Sequence, residues 1–198
     1  MKRMLVLVLV LLSVSTGASA NESLFRNSQV GAEFSFLGAL LVGDSGRPHI
    51  AGTLTLAKKH TNWELAFPFF YTQFTFDPEI CCEVHIRRVD LQLRRYFKKS
   101  RGGPYVGLVA RYSDVLGRDY DDNSQRVSFT RAGLGVVFGV RGFVHKNIYL
   151  GTNVQFGNFF NDAPPLADGT IDFGLLGPSD YVESRFFNVE LFKAGVRF

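Results

Sequence analysis

Histidine and serine side chains are the first candidates for chemistry in this sequence. The four histidines are His49, His60, His85 and His145. Two of them, His60 and His145, stand in polar stretches typical of solvated turns. A hydrolytic site needs a histidine within hydrogen-bonding reach of a serine and of an acidic residue. The residues available to His85 are Ser113, Ser128, Asp77 and Glu79. Their spacing matches no catalytic motif, so no catalytic residue is predicted.

Cys81 and Cys82 are the two cysteines of the chain, and they are adjacent. Two adjacent cysteines make a poor metal site by themselves. In an oxidising compartment they could form a vicinal disulfide with each other. Pairing with another chain and two free thiols are the alternatives that the sequence leaves open.

Acidic residues are concentrated in two later stretches. The first runs from Asp119 to Asn123 and is preceded by Asp114; the second contains Asp162, Asp168, Asp172 and Asp180. Carboxylate oxygens suit hard divalent cations, but no spacing here defines a coordination shell. The sequence therefore predicts solvated acidic loops, which could touch the cations that bridge lipopolysaccharide, and neither a metal site nor another cofactor.

The amino end is typical of an export signal. A cationic start, Met1-Lys2-Arg3, precedes an apolar run from Leu5 to Leu12 and the small residues Ala18-Ser19-Ala20. This order predicts a secretory signal peptide cleaved after Ala20. The run is too short for a membrane-spanning helix, which needs about 20 apolar residues. We expect residues 1–20 to be removed and residues 21–198 to form one domain.

The charge of the mature chain is small. Without Lys2 and Arg3, the 22 basic residues become 20 against 18 acidic ones, a formal charge of +2. This excess gives no reason to expect nucleic-acid binding, and export argues against it further.

The carboxyl-terminal stretch has two contrasting faces. In an extended chain Phe192, Ala194, Val196 and Phe198 lie on one side, because successive side chains alternate. Lys193, Gly195 and Arg197 lie on the other side. These faces suit a wall between lipid and a polar lumen. The four outward residues are similar to the terminal signature of bacterial outer-membrane barrels, by which the barrel assembly machinery would act on this strand.

The same alternation recurs along the chain and predicts eight strands. They are Val30–Val42, Ile50–Leu56, Trp63–Tyr71, Arg88–Phe97, Tyr105–Tyr112, Arg131–Val140, Ile148–Gly157 and Phe187–Phe198. Pro68 predicts a bulge in the third. Connections two, four and six are short, whereas three, five and seven grow steadily longer, with Ser113 to Arg126 and Asn161 to Ser184 as external loops. This asymmetry is typical of outer-membrane barrels with a periplasmic amino end.

Aromatic residues near the strand ends predict an interfacial girdle. The set comprises Trp63, Tyr71, Tyr96, Phe97, Tyr105, Tyr112, Tyr149, Phe159 and Phe160. A soluble sandwich or a lipocalin-like barrel would accept the same alternation with its apolar face inward. Export, the polar complementary face and the terminal phenylalanine favour the membrane barrel.

Two hairpins carry a resemblance to a known family. Arg95-Tyr96-Phe97-Lys98-Lys99-Ser100-Arg101-Gly102-Gly103-Pro104-Tyr105-Val106-Gly107 resembles the strand, basic turn and re-entry of small outer-membrane barrels of the OmpA/OmpX type. Gly139-Val140-Arg141-Gly142-Phe143 through Asn147-Ile148-Tyr149-Leu150 resembles their next hairpin. The resemblance implies an eight-stranded antiparallel up-and-down transmembrane β-barrel. It leaves function open, because such folds host unrelated functions.

The predicted lumen is charged. Strand parity points the following residues inward: Glu33, Glu64, Asp90, Arg88, Arg94, Arg111, Arg131, Lys193 and Arg197. Glu64 comes level with Arg94, and Glu33 comes near Lys193 where the first and last strands meet. Eight strands enclose an interior just wide enough for side chains to fill, and unpaired buried charges are costly. We therefore expect paired charges and a plugged lumen.

The predicted function is that of a non-enzymatic outer-membrane protein. It would be a monomer with a structural or surface-interaction role, meeting lipid, lipopolysaccharide or other partners through its external loops. The alternatives are a narrow pore and a lipid-modifying enzyme. Outer-membrane lipid A deacylases are similar in size and architecture, but the chain lacks their His-x-Ser pair, since His85 is followed by Ile86-Arg87.

Overall fold

A computed structural model describes residues 27–35, 49–75, 83–118, 126–161 and 184–198. These residues form eight antiparallel strands in one closed barrel. The strands are β1 (Ser28–Ser35), β2 (His49–Lys58), β3 (Trp63–Thr75), β4 (Glu83–Tyr96), β5 (Gly103–Arg118), β6 (Arg126–Phe143), β7 (Ile148–Phe159) and β8 (Arg185–Arg197). Each strand pairs with its neighbours in sequence, and β1 closes the barrel on β8. The predicted eight-stranded up-and-down barrel is confirmed.

The two ends of the barrel differ. At the end we call the turn end, residues 59–62, 97–102 and 144–147 connect successive strands, and the carboxyl terminus joins them. There the backbone N–H of Phe198 donates to the carbonyl of Val30 at 2.8 Å. The longer connections 36–48, 76–82, 119–125 and 162–183 leave from the opposite end, the loop end, and lie outside the described residues. The predicted signal peptide also lies outside them.

The fifth connection is shorter than predicted. Ser113 was expected to begin an external loop, but β5 continues to Arg118 and pairs with β6 from Arg126 onward. Val115 and Leu116 keep the alternation going, with the first buried and the second exposed. The polar residues Ser113 and Asp114, which precede them, obscure in the sequence a strand that continues toward the loop end.

Strand alternation separates the two faces of the wall. Large apolar side chains are exposed on the outer face, among them Leu93, Leu108, Leu134 and Phe138. Polar and charged side chains on the same strands are buried inside. This apolar-out, polar-in order is the pattern of a barrel that faces lipid. Among the described residues, no helix is long and apolar enough to cross a membrane.

The irregularity of the barrel is in β8 and not at Pro68. Register between β3 and β4 is the same before and after Pro68, so the predicted bulge there is wrong. Between β7 and β8 the register shifts, because Gly151 faces Lys193 whereas Asn153 faces Glu190. Two residues of β8 therefore stand opposite one of β7, and one of them, Phe192, has a left-handed φ of 57°. This β-bulge reverses the parity of the preceding part of β8.

The aromatic girdle is smaller than predicted. Tyr96, Tyr105, Tyr149 and Phe159 are buried inside the barrel, because they share the parity of the inward residues of their strands. Trp63, Phe97, Tyr112 and Phe160 are exposed on the outside, and Tyr71 is half-buried.

Glycines opposite the inward tyrosines give their rings room. A Cβ atom added to Gly139 would collide with the ring of Tyr105. A Cβ atom added to Gly195 would collide with the ring of Tyr149. Both rings therefore lie against bare backbone, which lets large side chains cross a narrow bore.

Candidate functional site

Two buried glutamates and two buried arginines from four different strands meet inside the barrel. Glu33 on β1 and Glu64 on β3 are exposed by only 3% and 4%. Arg94 on β4 lies 3.0 Å from Glu33 and 3.3 Å from Glu64. Arg141 on β6 lies 2.6 Å from Glu33 and 2.8 Å from Glu64. Each carboxylate thus contacts both guanidinium groups. We call these four residues the charged quartet.

Two tyrosines, Tyr96 and Tyr149, contact the charged quartet. The hydroxyl of Tyr96 donates to Glu64 at 3.0 Å, and that of Tyr149 donates to Glu33 at 3.1 Å. The guanidinium of Arg141 lies 4.8 Å from the ring centre of Tyr96 and 4.1 Å from that of Tyr149. Cation–π contacts of this kind gain strength when water is excluded. The two tyrosines therefore contact both carboxylates of the quartet and one of its two cations, Arg141.

Lys193 connects the quartet to a second group of polar residues. Its Nζ atom lies 2.9 Å from Glu33 and 2.6 Å from Glu190. Glu190 also accepts a hydrogen bond of 2.8 Å from the amide of Asn153. The amide of Gln155 donates in turn to Asn153 at 3.2 Å. A continuous polar chain therefore runs from β1 across β8 to β7.

The second group ends in the ion pair of Asp90 and Arg111. Nε and Nη2 of Arg111 donate to the two carboxylate oxygens of Asp90, each at 3.0 Å. Nη2 of Arg111 also donates to Gln155 at 2.8 Å. The same guanidinium lies 4.2 Å from the ring centre of Phe186. A bidentate pair of this geometry fixes both side chains.

The charges of this network balance. Its four carboxylates are Glu33, Glu64, Asp90 and Glu190, and its four cations are Arg94, Arg111, Arg141 and Lys193. Burying one unpaired charge would cost several kcal/mol, whereas pairing and hydrogen bonding offset much of that cost. The arrangement fills the bore with side chains that bind one another.

The other residues predicted to face the lumen lie nearer its ends. Arg88 lies over the ring of Phe70 at 4.6 Å, and Arg131 lies over the ring of Phe159 at 3.9 Å. Both are buried toward the loop end. Arg197 is at the turn end. Among the described ion pairs and hydrogen bonds, the network brings together Glu33, Glu64, Asp90, Arg94, Arg111 and Lys193.

Sequence reasoning missed Arg141 and Glu190. Arg141 was assigned to a turn, although it follows the inward Gly139 by two residues and so shares its parity. Glu190 has the same parity as the outward Phe192 in a regular strand. Only the bulge at Phe192 turns it inward. The available signal was an acidic residue with the same parity as the apolar residues Phe192, Ala194 and Val196, because a charge facing lipid is costly.

The bore is closed toward the turn end. A narrow space there is lined by Gln29, Val30, Thr55, Ala57, Glu64, Arg101, Arg141, Tyr149 and Arg197, and it has no room for a water molecule. Arg101 donates to the carbonyl of Lys58 at 3.1 Å and contacts the side chain of Gln29. Burial lowers the pKa of the Arg101 guanidinium, which stays charged at neutral pH. Arg101 thus caps the bore.

The described residues assemble no hydrolytic set around His85. Its ring is half-buried, and Nδ1 lies 3.4 Å from the hydroxyl of Tyr71. Ser113 is fully buried inside the barrel. Ser128 is exposed, but Leu116 on β5 lies between it and His85. Asp77 and Glu79 lie outside the described residues, as do Cys81, Cys82, Asp119 to Asn123, Asp162, Asp168, Asp172 and Asp180. No metal-binding cluster occurs in the described part of the chain.

The carboxyl-terminal residues face outward. Ala194 and Val196 pair with Phe34 and Ala32 of β1. Phe192 and Phe198 are exposed by 68% and 75%. The side of β8 that is predicted to be the assembly signal therefore lies on the outer surface of the barrel, beside β1.

Comparison with known proteins finds no matching family model and no matching curated protein. The fold is similar to that of Ail, the attachment invasion locus protein of Yersinia pestis, at 11% identity over 86% of this chain and 96% of that one, with a TM-score of 0.44. It is also similar to Neisserial surface protein A, at 15% identity over 86% and 94% of the two chains, with a TM-score of 0.40. Both similarities concern general architecture alone.

Proposed function

We propose that this protein is a non-enzymatic β-barrel of a bacterial outer membrane with a plugged lumen. Its external loops would carry a structural or surface-interaction role toward lipopolysaccharide or other envelope partners. The observation that carries the proposal is the combination of an apolar outer face with a filled, internally paired polar bore. That combination suits a wall between lipid and a closed interior.

Membrane insertion is supported by the outer face of the barrel. Soluble monomers rarely expose apolar patches larger than a few hundred Å². Here exposed leucine, valine and phenylalanine side chains occur on all eight strands. The short connections at the turn end support a periplasmic location for it, and the longer connections support an external location for the loop end. The proposed route is export with residues 1–20 as a cleaved signal, followed by assembly through β8.

A plugged lumen is preferred to a pore because of the quartet and its extension. Eight-stranded barrels have an interior that side chains can fill, and here four arginine and lysine side chains lie across it bound to carboxylates. An enzyme would need a reactive group that its neighbours activate. The charged groups of this network instead bind one another, so no specific contact favours catalysis.

Protease treatment of intact cells tests the proposed placement. A broad-specificity protease added outside should cut within 119–125 or 162–183 and spare Lys98 to Gly103. The same protease should reach the turns once the outer membrane is permeabilised and the barrel is unfolded. Cleavage of intact cells only at the lysine-rich turns would contradict the proposed orientation.

A further inference from the structure

The turn end carries a dense set of cations, and its three described turns contain no acidic side chain. Exposed lysines stand at all three turns, namely Lys58, Lys59, Lys98, Lys99 and Lys146. No acidic residue occurs in 57–63, 97–104 or 142–148. The nearby Glu33 and Glu64 are buried and bound within the charged quartet. Like charges on one rim repel each other, so this rim is suited to an anionic partner.

Two arginines hold the three turns together. Arg101, in the turn between β4 and β5, donates to the carbonyl of Lys58 at 3.1 Å. Arg197, near the carboxyl terminus, donates to the carbonyls of Ser100 and Lys146, each at 3.2 Å. These bonds use the backbone of the turns and leave the lysine side chains exposed. The rim is therefore one connected surface rather than three separate turns.

Exposed apolar side chains accompany these lysines. Phe97 directly precedes Lys98 and is 73% exposed, and Val144 is 69% exposed two residues before Lys146. Trp63 is 44% exposed at the start of β3. Aromatic residues beside lysine and arginine are typical of the boundary between lipid and water. Lysines there keep their stems on apolar surface and their ammonium groups in water.

We propose that this rim binds the phosphate groups of anionic phospholipids in the leaflet that surrounds the turn end. The inference rests on the proposed membrane insertion and adds a preference for one class of lipid. An anionic polymer such as peptidoglycan would also attract the lysines. The exposed aromatic and aliphatic residues on the same rim favour a lipid partner, because a polymer in water gives them nothing to pack into.

The single tryptophan of the chain makes the inference testable. Trp63 lies on the outer face at the turn end, where Arg95 lies 5.6 Å from its ring centre. The full-length mature protein would be folded into phosphatidylcholine vesicles that contain brominated phosphatidylglycerol or brominated phosphatidylcholine. Quenching of Trp63 then reports which lipid is beside it. We expect phosphatidylglycerol to be preferred about fivefold, the ratio given by about 1 kcal/mol for one basic residue at an anionic surface.

Substitutions test whether the lipid preference at Trp63 depends on the lysines near it. Replacing Lys58, Lys59, Lys98 and Lys99 by glutamine should clearly lower the preference at Trp63, leaving only the part that Arg95 contributes. Lys146→Gln is the matched control, because its turn joins β6 to β7 on the far side of the barrel from β3. It should leave quenching at Trp63 unchanged. High salt should abolish the wild-type preference, since exposed charges are screened.

Three results would overturn the inference. They are equal quenching by both lipids in the wild type, an unchanged preference in the fourfold variant, and a preference that persists in high salt. Binding to purified peptidoglycan without any lipid preference would likewise reject it in favour of a polymer partner. If neither brominated lipid quenched Trp63, membrane insertion itself would be rejected, and the proposed function with it.

Discussion

Two pairs of adjacent strands in the barrel are held together in different ways. Between β5 and β6, which we call the wall, the paired register runs without interruption from Gly103 and Arg141 to Arg118 and Arg126. Between β1 and β8, which we call the seam, described pairing runs only from Gly31 and Arg197 to Ser35 and Lys193. The bulge at Phe192 follows directly. In the described part of the chain, the backbone ladder is therefore longer at the wall than at the seam.

Side chains compensate for the short ladder at the seam. Glu33 on β1 contacts Lys193 on β8, Arg94 on β4 and Arg141 on β6. One carboxylate thus ties the closing strand to its partner and to the opposite half of the barrel. At the wall, by contrast, Tyr105, Val109 and Val137 form an apolar cluster with Tyr96. The difference indicates that closure depends on charge pairing and that the wall depends on backbone pairing and apolar packing.

The largest effect is expected at Glu33. Glu33→Gln leaves three buried cations with one carboxylate fewer, and breaking a buried pair costs about 3–5 kcal/mol. The temperature of the heat-induced gel shift and the midpoint of urea unfolding in lipid should both fall. Lys193→Met added to it should recover part of the loss, and only part, because Glu190 then loses its cation. No recovery would mean that Lys193 does not hold the seam.

The second-largest loss of stability is expected on the lipid-facing side of the wall. Leu134 is exposed on the outer face of β6, and Leu134→Arg should cost about 2–4 kcal/mol if this residue lies at the bilayer midplane. Thr130→Arg, on the same face nearer the loop end, should cost about 0–1 kcal/mol. Urea unfolding of both variants in vesicles measures the difference. Equal costs would mean that this face does not cross the membrane.

A smaller effect is expected for the ion pair at some distance from the seam. Asp90→Asn removes a charged acceptor from Arg111, whose guanidinium keeps its contacts with Gln155 and Phe186. Hydrogen bonds to charged groups contribute about 1.5–3 kcal/mol. Unfolding in the same vesicles should therefore show a smaller loss than Glu33→Gln. A larger loss would mean that charge pairing at the seam does not limit the stability of the barrel.

The smallest effect is expected inside the wall. Val137→Ala removes two carbon atoms from the apolar cluster, which at about 0.8 kcal/mol per buried methylene gives roughly 1.5 kcal/mol. Lipid binding at Trp63 should be unchanged, so the variant also serves as a folding control. A loss as great as that of Glu33→Gln would show that the apolar cluster, rather than charge, limits the stability of the barrel.

Strand parity was enough to predict the architecture and most of the lumen. Alternating side chains predicted the eight strands, because lipid outside and polar groups inside impose a period of two on every strand. It also pointed Glu33, Glu64 and Arg94 inward, since no irregularity interrupts their strands. Parity stays reliable as long as the register is continuous.

Parity failed where the register changes or where a strand continues past an apparent stop. The bulge at Phe192 turns Glu190 inward, and backbone geometry of that kind is not encoded in side-chain type. Arg141 was missed because the predicted strand ended at Val140, whereas β6 continues to Phe143. Pro68 was overinterpreted, because β3 keeps its register on both sides of it.

Single-channel recording of the wild-type protein in planar bilayers tests the plugged lumen most directly. Folding should first be verified by the heat-induced gel shift, so that an absence of conductance cannot be attributed to unfolded protein. Because the quartet and the Asp90–Arg111 pair fill the bore, we predict no stable conductance. Stable, ohmic conductance comparable to that of a porin would contradict this account and favour the pore.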